Sequence, residues 1–174
     1  AQLPGLKNTR VRVIEGGEQR SDSVLAGLQA LDGLASPSDW VLVHDAARPC
    51  VLPEDIATLA SAVNAIGVGG ILAQPIVDTV KRADIEKQVV ETVERDGLWC
   101  AQTPQMFKLG LLGGAMKNAK FNELSITDEA SAMELAGEGV QLIPGRPSNL
   151  KITVPEDLGL AEFYLAQQRA DSST

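Results

Sequence analysis

The chain is poor in the features that mark several large protein classes. Of its 174 residues only three are Phe, two Trp and one Tyr, too few for the stacking platforms on which single-stranded nucleic acid rests. Basic excess is missing too. Fifteen Lys and Arg stand against 23 Asp and Glu, a net charge of −8, whereas binding a nucleic-acid backbone needs a broad basic surface. That balance argues against a nucleic-acid partner but not against a small phosphorylated substrate, which needs only a few inward-pointing cations and usually a divalent metal. No apolar run approaches the roughly 20 residues of a membrane span, and the start of the sequence does not read as a signal peptide. The two cysteines, Cys50 and Cys100, make no metal-spaced set and suit a reducing compartment, so the cytoplasm is the expected location.

What is present is an ordinary globular composition, 44% hydrophobic and 22% charged, in a chain long enough for one domain over residues 1–174 that buries about 70% of its unfolded surface. The pattern centres on Trp40-Val41-Leu42-Val43. Four bulky apolar residues predict a strand buried on both faces, as in a parallel sheet. It runs into His44-Asp45-Ala46-Ala47-Arg48-Pro49, and open α/β sheets bind ligands beyond the carboxyl ends of their strands. Asp45 offers a hard oxygen ligand suited to Mg²⁺, the two alanines let a substrate approach the backbone, and Arg48 is a fixed cation suited to phosphate. The plainer alternative is a turn in which Asp45 accepts backbone hydrogen bonds.

Before this stretch, Ala1–Asn8 reads as a surface segment and Arg10–Glu15 as a short strand closed by Gly16-Gly17. Ser21-Asp22-Ser23 supplies N-cap candidates for a helix whose stripe is Val24, Leu25, Leu28 and Leu31. Strand, glycine turn and helix N-terminus can present N–H groups to a ligand, or can be a plain connection. After it, Pro53-Glu54-Asp55 opens a helix with Ile56, Leu59, Ala60 and Val63 inward, ended by Gly67–Gly70, and Ile71-Leu72-Ala73 begins another strand. The β-α-β-α-β alternation predicts an α/β fold with a mostly parallel sheet and helices on both faces.

Residues 75–99 depart from that pattern. Asp78–Ala83 and Gln88–Arg95 read as two strands joined by a short polar turn, a projecting β-arm with nothing nearby in sequence to cover it. An isolated hairpin is marginal in water, so a second copy of the chain is its expected support, within a homodimer. Thr103-Pro104-Gln105 reads as a turn with an exposed hydroxyl, and Leu109–Ala119 as a helix. Thr127 is the expected N-cap of a helix carrying Ala130, Met133 and Leu135 and stopped by Gly137. Val140–Ile143 and Leu150–Thr153 read as strands. Thr153-Val154-Pro155-Glu156 reads as a capping box for a last helix with Leu158, Ala161, Phe163, Leu165 and Ala166 on its apolar face, and Ala170–Thr174 as a frayed tail.

Six motifs occur in order: Gly16-Gly17-x-x-Arg20-x-Asp22-Ser23-Val24-x-x-Gly27, His44-Asp45-Ala46-Ala47-Arg48-Pro49, Asp78-Thr79-Val80-Lys81, Thr103-Pro104-Gln105, Thr127-Asp128-Glu129-Ala130-Ser131 and Asn149-Leu150-Lys151-Ile152-Thr153. Each is weak alone. Together they strongly resemble the 2-C-methyl-D-erythritol 4-phosphate cytidylyltransferase family of the non-mevalonate isoprenoid pathway, over essentially the whole chain. The resemblance implies a homodimeric, Rossmann-like nucleotidyltransferase of the nucleotide-diphospho-sugar transferase type. Such an enzyme uses Mg²⁺ to move CMP from CTP to methylerythritol phosphate and releases pyrophosphate. It further implies that Gly17, Glu18 and Ser23 lie against cytosine and ribose, although family members often have Asp where this chain has Glu18. By the same resemblance Asp45 holds Mg²⁺, and Arg48, Thr103, Thr127 and Lys151 surround the sugar-phosphate and the reacting phosphoryl group. Asp45, Arg48 and Lys151 are then the catalytic set. Thr79 and Arg95 sit on the arm that reaches the partner's site.

The chemistry fits these residue types. The acceptor is already a phosphate, so no strong general base is needed, and the protein must chiefly neutralise and align two anions. Plainer roles stand beside these: Ser23 and Thr127 as helix caps, Lys151 as a solvated cation, Arg95 paired with an acid across the arm. One departure stands out. The family opens with a strand, a loop of the type PAAGxGxRM and a Pro-Lys-Gln segment, none of which is in this sequence, and no GxxxxGK or GxGxxG replaces them. Residues 1–174 are therefore expected to correspond to roughly the C-terminal three-quarters of the enzyme. Two alternatives follow: a cytidylyltransferase acting on a pentitol phosphate such as ribitol 5-phosphate, or a non-catalytic dimerising fragment.

Overall fold

The computed structural model describes residues 11–171. In chain order the elements are α1 (Arg20–Gln29), β1 (Trp40–Val43), α2 (Pro53–Ile66), β2 (Gly69–Pro75), β3 (Val80–Ala83), β4 (Val89–Val93), β5 (Trp99–Lys108), α3 (Leu109–Phe121), α4 (Glu129–Leu135), β6 (Val140–Pro144) and α5 (Glu156–Asp171). They group into two compact units. One holds the described residues up to Val41 with Lys108–Glu138, and the other Leu42–Phe107 with the described residues from Gly139 on. Among the described residues no helix is long and apolar enough to cross a membrane.

The first unit is helical. Leu25 and Leu28 of α1, Leu112, Ala115, Met116 and Ala119 of α3, and Ala130, Ala132 and Met133 of α4 form its buried core. Both expected caps shift. The N-cap of α1 is Gln19, whose N–H donates to Asp22 Oδ2 at 3.3 Å from inside the first turn. The N-cap of α4 is Asp128 rather than Thr127: its Oδ1 accepts the Ser131 N–H at 2.9 Å, and Ser131 Oγ accepts the Asp128 N–H at 3.2 Å. Asp and Thr both cap well, and here the carboxylate is the one that reaches the free N–H of the first turn. Gly137 stops this segment at φ 78°, as expected. The strand expected at Arg10–Glu15 does not form over 11–15, and Arg10 lies outside the described residues along with Ala1–Asn8. Val11 and Val13 stand 45% and 70% exposed, and a strand needs a neighbour to take its backbone hydrogen bonds.

The four-stranded sheet has the order β1-β5-β2-β6, with β1 at one edge, and the second unit holds β2, β6, β5 up to Phe107 and Leu42–Val43 of β1. The expected α/β class holds, but the sheet is mixed rather than mostly parallel. β2 runs parallel to β6, from Gly69↔Val140 to Ala73↔Pro144, and antiparallel to β5, from Gly70↔Met106 to Pro75↔Trp99. The reason is the connection. A parallel pair needs a crossover, usually a helix, and β2 reaches β5 through the arm without one. Leu59 and Val63 of α2, which lies against β2 and β6, are buried, as are Ile71, Leu72, Ala73, Met106, Phe107 and Ile143 of the sheet. Ile56, expected inward, is 36% exposed. α2 has Pro53 in its first turn and ends at Gly67, φ 76°, a left-handed cap that glycine adopts without strain.

Four further expectations change. β1 is only partly buried, with Leu42 38% exposed, because an edge strand is covered on one side. Thr103-Pro104-Gln105 is not a turn but lies inside β5, with Thr103 4% and Gln105 1% exposed. The β2–β5 register slips between Ile71 and Ala73, an irregularity that accommodates Pro104, which has no N–H to give. Leu150–Thr153 makes no strand and is held by the Ile152 N–H on the Ala47 carbonyl at 2.8 Å. At the start of α5 the closing carboxylate is Asp157, not Glu156: it accepts the Thr153 N–H at 2.8 Å, the Val154 N–H at 3.1 Å and the Thr153 hydroxyl at 3.0 Å.

α5 runs to Asp171, so Ala170 is helical rather than frayed, and 172–174 lie outside the described residues. Of its expected apolar face only Ala161 is buried, while Leu158 and Phe163 are 51% and 54% exposed. Its apolar residues fall on several sides rather than in one stripe. The arm forms as expected. β3 and β4 pair antiparallel from Val80↔Val93 to Ala83↔Val89, with Lys81 Nζ donating to Thr92 Oγ1 at 2.6 Å and Arg82 paired to Glu91 at 2.6 Å. Ile85, at its tip, is 96% exposed. Cys50 is fully buried and Cys100 exposed, both as free thiols.

Candidate active site

In the second unit the chain leaves β1 through a turn closed by the Arg48 N–H on the Asp45 carbonyl at 2.9 Å. The turn is pinned to β5. The Asp45 N–H donates to Thr103 Oγ1 at 2.9 Å, and the same hydroxyl lies 3.0 Å from His44 Nδ1. Asp45 Oδ2 pairs with Lys151 Nζ at 2.9 Å, from the segment that Ile152 holds against Ala47. Arg48 is tied from behind. Its guanidinium donates to the carbonyl of Asn149 at 2.7 Å and that of Ala101 at 3.3 Å, and its buried Nε has no protein partner. Burial lowers the Arg48 pKa from its ordinary value, and the charge of Asp45 acts in the opposite direction.

Behind this layer Asn149, fully buried, donates to the Thr103 carbonyl at 2.8 Å, and Gln102 donates to the Arg146 carbonyl at 3.1 Å. Arg146 in turn pairs with the buried Asp55 at 2.8 Å. The second unit thus gathers Asp45, Arg48, Thr103 and Lys151 at the carboxyl end of β1. A carboxylate, an ammonium and a guanidinium side by side suit a polyanion that brings its own counter-cation. Among the described residues no group of three or more His, Cys, Asp or Glu could hold a metal ion. Mg²⁺ commonly takes one or two carboxylates and completes its shell with substrate phosphates and water, and Asp45 fits that mode.

Thr79 and Arg95 sit at the foot of the arm, not at its tip. Thr79 is exposed, and the Arg95 guanidinium donates to the Val77 carbonyl rather than to an acid across the arm.

In the first unit Gly17, Glu18 and Ser23 lie around the start of α1. The Gly17 N–H donates to Ser23 Oγ at 3.0 Å, and Ser23 Oγ donates to the Gln19 carbonyl at 3.3 Å. A Cβ on Gly17 would stand 2.2 Å from the Cβ of Asp22, so this close turn needs glycine. Glu18 is exposed. Lys120 pairs with Asp22 at 2.7 Å, and that hydrogen bond, with the one from the Gln19 N–H, holds the Asp22 carboxyl below its ordinary value. Thr127 is exposed at the start of α4, its N–H on Ser131 Oγ at 3.0 Å. Next to it Arg20 forms a two-pronged pair with Glu129, at 2.7 and 3.0 Å, and Glu129 is fully buried.

The sequence by itself points to no site role for His44, Asn149, Arg20 or Glu129. The signal was present: all four lie within the quoted motifs, as polar residues with no task assigned. Gln102, just outside Thr103-Pro104-Gln105, carried no such sign.

Comparison with known proteins agrees with these motifs. The family described as IspD, 2-C-methyl-D-erythritol 4-phosphate cytidylyltransferase, matches residues 1–167. A protein of that name from Escherichia coli O1:K1 / APEC is 51% identical over 168 residues, 96% of this chain and 70% of the relative. One from Mannheimia succiniciproducens is 48% identical over 167 residues, covering 96% and 71%. Among solved structures, the Francisella tularensis protein of the same name superimposes with a TM-score of 0.84 at 38% identity, over 91% of this chain and 73% of that one.

Proposed function

The chain belongs to the 2-C-methyl-D-erythritol 4-phosphate cytidylyltransferase family, and from that premise we propose which of its residues carry the family's chemistry. It is a nucleotidyltransferase of isoprenoid biosynthesis that transfers CMP from CTP to 2-C-methyl-D-erythritol 4-phosphate. A phosphate oxygen of the acceptor bonds to the α-phosphorus, and the bond to the bridging oxygen breaks. Its electron pair leaves with pyrophosphate, and no proton has to move. The observation that carries the assignment is the meeting of Asp45, Lys151 and Arg48 at the end of β1.

Asp45 is the proposed holder of Mg²⁺, together with phosphate oxygens and water. When bound, the ion draws off phosphate charge in a site that has few fixed cations. Lys151 and Arg48 neutralise the approaching acceptor and the reacting phosphoryl group, and their carbonyl and carboxylate partners hold them in place before substrate arrives. Thr103, buried, with its hydrogen and one lone pair engaged, serves the substrate through Asp45. Thr127 offers an exposed hydroxyl to the sugar-phosphate. Gly17, Glu18 and Ser23 receive cytosine and ribose. The enzyme works as a cytoplasmic homodimer in which Thr79 and Arg95 of one copy complete the partner's site, a reading supported by the exposed Ile85, Val89 and Val90 of the arm.

The test is Mg²⁺-dependent pyrophosphate release from CTP by the 174-residue chain, with methylerythritol phosphate and ribitol 5-phosphate offered separately. Release with the former alone is expected. Preference for the latter, or silence with both, would overturn the assignment for this chain.

A further inference from the structure

We propose that His44 is a positioning residue, whose ring straps the Asp45–Arg48 turn to β5 and so fixes the carboxylate and the guanidinium relative to each other. The inference rests on the function proposed above. It starts from two hydrogen bonds on opposite edges of one imidazole. His44 Nε2 lies 3.0 Å from the Arg48 carbonyl oxygen, and Nδ1 lies 3.0 Å from Thr103 Oγ1.

The partners decide the tautomer. A carbonyl oxygen only accepts, so the hydrogen is on Nε2. In the neutral ring Nδ1 then carries a lone pair, and the Thr103 hydroxyl donates to it. That leaves the hydroxyl oxygen to accept the Asp45 N–H at 2.9 Å. The result is a directed chain from the Asp45 amide through Thr103 and the His44 ring to the Arg48 carbonyl, in which each bond polarises the next. The strap therefore seizes the turn at both its functional residues. The Arg48 N–H on the Asp45 carbonyl at 2.9 Å closes the same turn from inside.

Without the ring, the Thr103 hydroxyl loses its acceptor and the Arg48 carbonyl loses its donor. Asp45 and Arg48 keep their own side-chain partners, Lys151 on one side and the Asn149 and Ala101 carbonyls on the other, so the fold does not depend on the ring. What is lost is the fixed spacing of the two charges, which a phosphoryl-transfer site needs held to a fraction of an ångström.

The 174-residue chain has a single histidine, so its imidazole gives one set of ring-nitrogen resonances. Long-range ¹H–¹⁵N spectra of the unmutated chain, recorded where the ring is neutral, are expected to show the hydrogen on Nε2 and a bare Nδ1. An Nδ1–H ring would overturn the strap. The second arm splits the two bonds. His44→Asn keeps an acceptor near Thr103, His44→Gln keeps a donor near the Arg48 carbonyl, and His44→Ala keeps neither. His44→Ala is expected to lower kcat by about 10–100-fold with melting little changed, and the other two to fall between it and the wild type. A folded His44→Ala variant that retains kcat within about twofold would overturn the proposal. Failure of the unmutated chain to turn over would count against the proposed function instead, because the ring spectrum reads the strap without turnover.

Discussion

The ammonium of Lys151 stands 2.9 Å from Asp45 Oδ2, and the two ends of this pair are unequally exposed, 43% for the lysine side chain and 14% for the aspartate. The anion is held by the fold, and the cation reaches it from the solvent side. A pair this open adds little to stability. In the proposed site its value would be chemical, with an incoming phosphate competing for Lys151 while Asp45 stays in place.

Asp45→Asn removes the charge and keeps the shape. Mg²⁺-dependent turnover is expected to fall by about 100-fold or more, with melting almost unchanged. Steady-state pyrophosphate release over a Mg²⁺ titration checks this, and full metal-dependent turnover in the variant would remove Asp45 from its assigned role. Lys151→Met is expected to lower kcat comparably and to shift stability by less than about 1 kcal/mol.

The Arg20–Glu129 pair makes an asymmetric prediction, because Glu129 is fully buried and the Arg20 side chain is 35% exposed. Arg20→Met leaves a buried carboxylate without its cation and is expected to cost about 2 kcal/mol after allowance for the open side of the arginine. Glu129→Gln leaves a cation that water can reach and an amide that still accepts a hydrogen bond, at a cost of about 1 kcal/mol. Urea unfolding of the two variants ranks them, and the reverse order would contradict the burial argument.

Acid sensitivity has an identifiable source at the start of α5. The hydrogen bonds from Thr153 and Val154 hold the Asp157 carboxyl below its ordinary value of 3.8. A carboxyl whose folded pKa is depressed contributes its full stabilisation above the unfolded value and loses it as pH falls through the folded one. Asp157→Asn is therefore expected to flatten the fall of melting temperature below pH 3.8. An unchanged slope would show that the amide bonds do not discriminate between the two protonation states.

The arm predicts the oligomeric state. Ile85, Val89 and Val90 are 96%, 63% and 63% exposed, and they pay that exposure back only against another surface. Sedimentation at micromolar concentration is expected to give a dimer, and a double change, Ile85→Glu with Val90→Lys, a larger monomer fraction. A monomeric wild type would count heavily against the arm's assigned role.

Elements governed by local rules were legible in the sequence. α2, with Pro53 at its start and Gly67 at its end, matches its reading closely, as do β2 and the two strands of the arm. Two causes account for the errors, distance along the chain and local redundancy. Thr103-Pro104-Gln105 has the local chemistry of a turn, but β5 lies between β1 and β2, and that placement keeps it a strand. The caps at Gln19 and Asp128 differ from the expected residues by two to four positions and by one, since several polar side chains in each stretch could do the same work. The site was legible as a set of residues and illegible as a geometry. His44 meets Thr103 across 59 positions and Arg48 meets Asn149 across 101, and no period or spacing encodes such meetings.

The two thiols give the molecule a ready-made handle for observation. Cys50 has no exposed surface, and burial raises its pKa, whereas Cys100 is open to solvent. Thiolate is the reactive form, so a maleimide dye added to the native chain will mark Cys100 and leave Cys50 dark. That dye will sit one residue from the Ala101 carbonyl that anchors Arg48. Its emission can then follow nucleotide arrival in real time, with no residue replaced.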